Sequence, residues 1–243
     1  MQIITASAVK GGVGKTITVG SLAQAAAYRG RRVLAVDLDR QINLSFMLAA
    51  DITRPGSDQL LAGKDPAELI QHTAAGIDVI PGSDALADEI TRKGSARRLQ
   101  NALEPLKSRY DLIVLDTPTG GELFYNTLQA ATGLIIPLWA EPFSVVSLYQ
   151  IMKNVQQIQE TSNPELKILG FILSMYDARS NLARQMQETI TERAAAMGVP
   201  YLGAVRKAVA VQEAAALQTS LFEYAPNCKP AQNYLQIFDA LKI

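Results

Sequence analysis

The sequence is poor in the residues that build cross-links and metal centres. It has one cysteine, Cys228, and one histidine, His72. A single cysteine excludes an intrachain disulfide framework and any four-cysteine zinc or iron–sulfur site within one chain, and it fits a reducing cytoplasm. A single histidine leaves almost no material for histidine metal sites or Ser-His-Asp chemistry. Net charge is lacking too, since 23 Lys and Arg balance 23 Asp and Glu. Any nucleic-acid contact must therefore come from a local basic patch. The longest apolar stretch, 131–140 (ATGLIIPLWA), is too short to span a bilayer and contains Pro137. The N-terminal MQIITASAVKGG has no basic segment ahead of its apolar run and no cleavage pattern. No internal repeat, low-complexity tract or linker is visible. With 243 residues, 48% of them apolar, one domain over 1–243 is the economical reading.

What is present is an alternation of short β-branched runs and longer helical segments. Strands are expected at 3–7, 32–37, 77–81, 111–116, 133–138, 166–174 and 201–205. A helix is expected over 16–28, stopped at Gly30. Leu148, Met152, Val155 and Ile158 share one helical face, as do Leu182, Met186, Ile190 and Met197. The region 50–75, with Pro55, Gly56, Gly63 and Pro66, reads as short helices and loops at an edge. Apolar strands alternating with helices imply an α/β fold, a mostly parallel sheet flanked by helices on both faces.

The segment SAVKGGVGKTIT, residues 7–18, sits between the first strand and the first helix. It resembles a phosphate-binding loop but breaks the usual G-x-x-x-x-G-K-[ST] spacing, because the first glycine position is Val9. A second lysine, Lys10, stands beside it. The backbone amides of Gly11, Gly12, Val13, Gly14 and Lys15 can surround phosphate at a helix N-terminus. Lys15 suits the β- and γ-phosphates, and the Thr16 hydroxyl suits Mg²⁺. Asp116 ends an apolar strand at the carboxyl edge of the sheet, the place for a magnesium-binding aspartate. Asp37 and Asp39 close the second strand two residues apart, so both are expected to face the site.

KGGVGKT with its preceding lysine, VDLDRQINLS and YDLIVLDTP together resemble the deviant Walker A ATPases of the ParA/MinD group. The resemblance extends through IIPLWAEPFSVVSL, SMYDARSNLARQ and VQEAAALQTSLFEYAPNCKPAQNY, nearly end to end. It is closest to short partition ATPases without an N-terminal helix-turn-helix domain, since the chain opens at its first strand. The resemblance implies a P-loop ATPase fold, ATP and Mg²⁺ as ligands, and an ATP-sandwich homodimer in which Lys10 reaches the partner's nucleotide. It implies a nucleotide set of Lys10 through Ile17, catalytic roles for Lys10, Lys15 and Asp39, and a metal site of Thr16, Asp39 and Asp116, with Asp37 supporting or in the metal shell. It further implies a cytoplasmic, nucleoid-associated protein that segregates plasmid or chromosomal DNA. Such a protein binds DNA non-specifically and hydrolyses ATP slowly, stimulated by a centromere-binding ParB-type adaptor. Ile17, Arg40-Gln41-Ile42 and Thr119 depart from the common pattern, which has Thr, Pro-Gln-Gly and Pro at those places.

DNA contacts are expected in the C-terminal third, from Arg184, Arg206, Lys207 and Lys229, with Arg179 and Arg193 nearby. A second basic cluster holds Arg92, Lys93, Arg97, Arg98, Lys107 and Arg109, opposed by Glu104. One rival is a MinD-like membrane-positioning ATPase, which needs a basic amphipathic tail. Here the tail AQNYLQIFDALKI has an apolar face, one basic residue, Lys242, and an opposing Asp239. It reads as a helix docked on the core, and no membrane partner is expected. The other rivals are a metabolic enzyme on the same scaffold and a nitrogenase-reductase-type protein, which needs two cysteines per subunit.

Overall fold

The computed structural model describes residues 1–86 and 97–243. Its strands are β1 (Gln2–Ala6), β2 (Val33–Asp37), β3 (Gln71–His72), β4 (Asp78–Ile80), β5 (Leu112–Asp116), β6 (Gly133–Leu138), β7 (Lys167–Tyr176) and β8 (Tyr201–Arg206). They form one sheet in the order β3-β4-β2-β5-β1-β6-β7-β8. All neighbours are parallel except β3 and β4, which make an antiparallel edge hairpin. Each expected strand is present within two residues at its ends. β3 was not expected: it is two residues long, it has no alternation to read, and it lies in the segment expected to hold only short helices and loops.

The helices are α1 (Lys15–Tyr28), α2 (Asn43–Met47), α3 (Ser57–Leu61), α4 (Arg98–Leu103), α5 (Glu122–Ala130), α6 (Ser144–Thr161), α7 (Asn181–Ala196), α8 (Val209–Ala216), α9 (Leu221–Tyr224) and α10 (Lys229–Leu241). The strands alternate their side chains between the two faces they cover. On one face Ile4, Val33, Ala35, Val114, Ile135 and Ile172 pack against α1, α9 and α10. On the other, Ile3, Leu34, Val36, Ile113 and Leu115 meet α3, α4 and α5, while Leu134, Ile136, Phe171 and Leu173 meet α5, α6 and α7.

α6 buries Leu148, Ile151, Val155 and Ile158, the expected face turned slightly so that Met152 sits at its margin. α7 corrects a second expectation. It buries Ala183, Ile190 and Ala194, with Met186 and Met197 at the margin, while Leu182 is 54% exposed. The helix begins at Asn181 behind the capping Ser180, and that start turns Leu182 outward. The C-terminal helix α10 is docked as expected, with Tyr234, Ile237 and Phe238 buried against α1 and β8. Among the described residues no helix is long and apolar enough to cross a membrane.

Because β1, β2, β5, β6, β7 and β8 run parallel, their carboxyl ends lie on one edge of the sheet. β5 and β6 flank β1 on opposite sides, so the chain's connections diverge at β1. An open α/β sheet binds ligands at such a point.

Candidate functional site

The loop 7–14 leaves β1 at this edge and becomes α1. Gly12 and Gly14 have φ of 77° and 92°, the left-handed region that a side chain resists. A Cβ built on Gly11 or Gly12, both exposed, would meet nothing within 4 Å, so this side of the loop faces open space. Ser174 of β7 anchors its far side, donating from Oγ to the Val13 carbonyl at 2.6 Å. α1 starts with no side-chain cap and no acid in its first turn. Its first amides are therefore left to an anion, and its dipole favours one.

Lys15 is 9% exposed. Burial pulls its pKa down, while Asp116 and Asp39 oppose that shift. Asp116 is 1% exposed. Its Oδ1 accepts from the Thr117 amide at 3.1 Å, and its Oδ2 has no hydrogen-bond partner in the protein. Burial and the nearby Asp37 charge push its pKa up to about 7, and the adjoining Thr16 hydroxyl and Lys15 ammonium work against that rise. A buried carboxylate oxygen without a partner is costly. A hydrated cation beside Thr16 would satisfy it, so the donor set fits magnesium.

Asp37 and Asp39 do not act alike, contrary to the expectation that both face the site. Asp37 is fully buried and turned into the protein. Its Oδ2 accepts from Ser45 Oγ at 2.7 Å and Ser45 N at 2.9 Å, and its Oδ1 accepts from Asp39 N at 3.1 Å. Gly82 N donates to Ser45 Oγ at 2.8 Å. A Cβ on Gly82 would come within 3.0 Å of the Asp37 carboxyl carbon. This network fixes the turn 38–45 that carries Asp39. Asp39 is half-buried and its Oδ1 accepts from Gln41 N at 3.0 Å. Ile42, where the common pattern has glycine, stands at φ 57° at the start of α2. A β-branched residue there is strained.

A cavity of about 690 Å³ opens beside the loop, between Gly12, Gly14 and Ile17 and the ends of β7 and β8. Met175, Tyr176, Asp177, Val205, Ala208 and Val209 contribute to its walls. It is the right size and apolarity for a nucleoside. Ile17 thus supplies an apolar wall where the common pattern has a threonine. Sequence reasoning missed this cavity, because its walls come from separate segments that carry no short motif.

Arg206 and Lys207 also line that cavity. They share its wall with Gly12 and Gly14 of the loop and Ile17 of α1, so they are not remote from the loop. Arg184 is exposed on the first turns of α7 and bonds the Ala178 carbonyl at 2.6 Å and the Asn181 side chain. Lys229 is exposed at the start of α10, one turn before Asn233, whose Oδ1 accepts from Arg206 N. Arg179 pairs with Asp177. In the second basic cluster, Lys107 pairs with Glu104 and Arg109 stacks on Tyr110, while Arg92 and Lys93 lie outside the described residues.

Lys10 lies in the loop, but its side chain is held outside it. Its side chain is 53% exposed, and its Nζ lies 2.9 Å from Glu141 Oε1.

Residues 1–168 match a family described as an AAA domain. Over 245 residues the chain is 33% identical to the sporulation initiation inhibitor protein Soj of Bacillus subtilis, covering 97% of this chain and 96% of that protein. It is 32% identical to the chromosome partitioning protein ParA of Caulobacter vibrioides, covering 98% and 92%. The chain belongs to the ParA/MinD family of ATPases. Among solved structures, cobyrinic acid a,c-diamide synthase from Mycobacterium smegmatis, with bound ADP and magnesium, has a TM-score of 0.84 and 29% identity over 100% of this chain and 94% of that one. The septum site-determining protein MinD of Pyrococcus horikoshii, complexed with Mg-ADP, has a TM-score of 0.81 and 27% identity, covering 98% and 94%. The chain is thus a ParA/MinD-type ATPase that takes ATP and Mg²⁺ as ligands.

Proposed function

We propose that residues 1–243 form a single ATPase domain that drives DNA partition. In this reading ATP fills the cavity beside the loop, with its phosphates on the amides of residues 11–16 and on Lys15. Thr16 and Asp116 would hold magnesium, which supplies charge neutralisation between the phosphates. Asp39 orients the attacking water from the turn that Asp37 and Ser45 brace. Two chains pair face to face around ATP, and Lys10 of each reaches the other's phosphates, where positive charge stabilises the transferring group.

The observation that carries this reading is the near-complete match to chromosome-partitioning relatives. It includes the C-terminal third, where Arg184, Arg206, Lys207 and Lys229 stand around the ends of β7 and β8. A neutral chain has too little charge to hold DNA alone. Pairing doubles the basic groups facing one duplex, which places DNA affinity under ATP control. Hydrolysis, stimulated by a ParB-type adaptor, then releases the DNA, in a cytoplasmic cycle on the nucleoid. The docked α10 disfavours the membrane reading, since its apolar face is already buried in the core.

The test is a gel shift on unrelated DNA fragments with ATP, ADP or no nucleotide, over a salt series. Binding is expected with ATP only, regardless of sequence. Its affinity should fall by roughly 0.9 log units per log unit of salt for each phosphate contacted. Absence of binding under every nucleotide, with ATP-dependent pelleting on anionic vesicles, would move the protein to the membrane-positioning branch.

A further inference from the structure

Lys10 is held in two ways by one short segment. Its ammonium pairs with Glu141 at 2.9 Å and lies over the Trp139 ring, 4.7 Å from the centroid. Both partners belong to the turn between β6 and α6, 131 and 129 residues away in sequence. The turn is braced from beneath, because Ser144 Oγ donates to the Trp139 carbonyl at 2.6 Å and Glu141 N donates to the same carbonyl at 2.9 Å. Lys10 itself leaves the phosphate loop at an exposed position beside Val9, which is 44% exposed. Nothing in the loop's own anion-binding geometry needs Lys10. The chain nevertheless spends a carboxylate and its single tryptophan on fixing where that ammonium lies.

We infer that Trp139 and Glu141 are positioning residues for Lys10, which hold its ammonium against its own chain until pairing around ATP pulls it away. This rests on the reading above that Lys10 acts in the partner's site. An ammonium that gives its charge to a carboxylate and a ring face cannot give it undivided to a phosphate on another chain. The hold therefore opposes pairing once in each subunit. An ion pair and a cation–π contact that are each partly open to solvent are individually weak. Together they bias an equilibrium by about fivefold per subunit, so by about twenty-five-fold for the pair. That weakness suits a latch: it suppresses chance pairing and gives way when the triphosphate, with several negative charges, is present.

Because Trp139 is the one tryptophan, its fluorescence reads the ring that carries Lys10. A cation over an indole ring shifts its emission, so nucleotide-free Lys10→Ala is expected to differ from the native protein. Adding ATP and magnesium should move the native emission toward that of the variant. Light scattering with ATP then measures pairing. Glu141→Gln and Trp139→Gln, both at half-buried positions, are expected to pair at lower ATP and protein concentrations, by about fivefold or more. Lys10→Ala is expected not to pair. Identical emission from native and Lys10→Ala proteins would overturn the latch. So would Glu141→Gln and Trp139→Gln variants that pair no better than native while Lys10→Ala fails to pair, an outcome that leaves the role of Lys10 standing. Normal pairing by Lys10→Ala would instead remove the reading on which the latch rests.

Discussion

Replacing Ser45 with alanine probes the brace behind Asp39. The hydroxyl makes two contacts that nothing else can make: it donates to Asp37 Oδ2 at 2.7 Å and accepts from Gly82 N at 2.8 Å. Ser45 and Asp37 are fully buried, so water cannot step in cheaply. A hydrogen bond to a charged group contributes about 1.5–3 kcal/mol, and an orphaned buried amide costs about 1–3 kcal/mol. After partial relaxation the loss is roughly 3 kcal/mol, or about 6–12 °C in Tm for a chain of this size. Asp37 keeps the Ser45 and Asp39 amides, so the fold survives. The turn loosens, and ATP hydrolysis should fall by more than ATP affinity. Urea unfolding and a kcat-against-KM comparison measure both effects. Ser57→Ala is the control, because Ser57 is equally buried but its Oγ has no partner. It should change stability by less than about 1 kcal/mol. Equal losses in the two variants would refute the argument, since hydroxyl pairing would then not set the energy.

Lys15→Ala should lose nucleotide binding by calorimetry, because no other side chain in the loop carries a charge into the phosphate space. Ile42→Gly should stabilise the nucleotide-free protein by up to about 1 kcal/mol in urea unfolding, since glycine accepts the φ of 57° without strain; a lowered midpoint would mean that the isoleucine's packing outweighs its backbone. The Arg32 guanidinium beside Asp111 holds that carboxyl below the usual carboxylate range. A depressed folded pKa gives stability that is present above the unfolded pKa, near 4, and lost as the pH falls through the folded value. Asp111→Asn should therefore flatten the acid limb of the stability curve below pH 4 and lower stability above it, as followed by urea unfolding between pH 2 and 7.

The sheet was legible because its strands are buried on both faces. A run such as LIVLD at the β5 position must be central and parallel wherever it falls in the chain. β3 was not, since two residues paired to a three-residue strand leave no period. The outward turn of Leu182 was missed for a related reason: an apolar residue two positions after a capping serine fits the helical period but not the buried side. Periodicity assigns a face only after the first turn has been placed.

The site divides along the same line. Its loop was readable because the groups suited to phosphate are backbone amides and one lysine, and glycine spacing dictates where amides point. The cavity beside it was not, because apolar walls drawn from Ile17, Met175, Tyr176 and Val209 use residues that any core would use. The two aspartates were told apart only by what surrounds them. Alternation on an extended strand gives Asp37 and Asp39 one direction, yet β2 ends at Asp37 and the chain turns before Asp39, so the alternation lapses between them. Ser45 and Gly82 then draw Asp37 inward and leave Asp39 as the half-buried carboxylate of the pair. The placement of Lys10 lay furthest from the sequence pattern, because its position is decided by side chains about 130 residues away. A motif could say that a second lysine is present, but only the folded turn after β6 says where its charge waits.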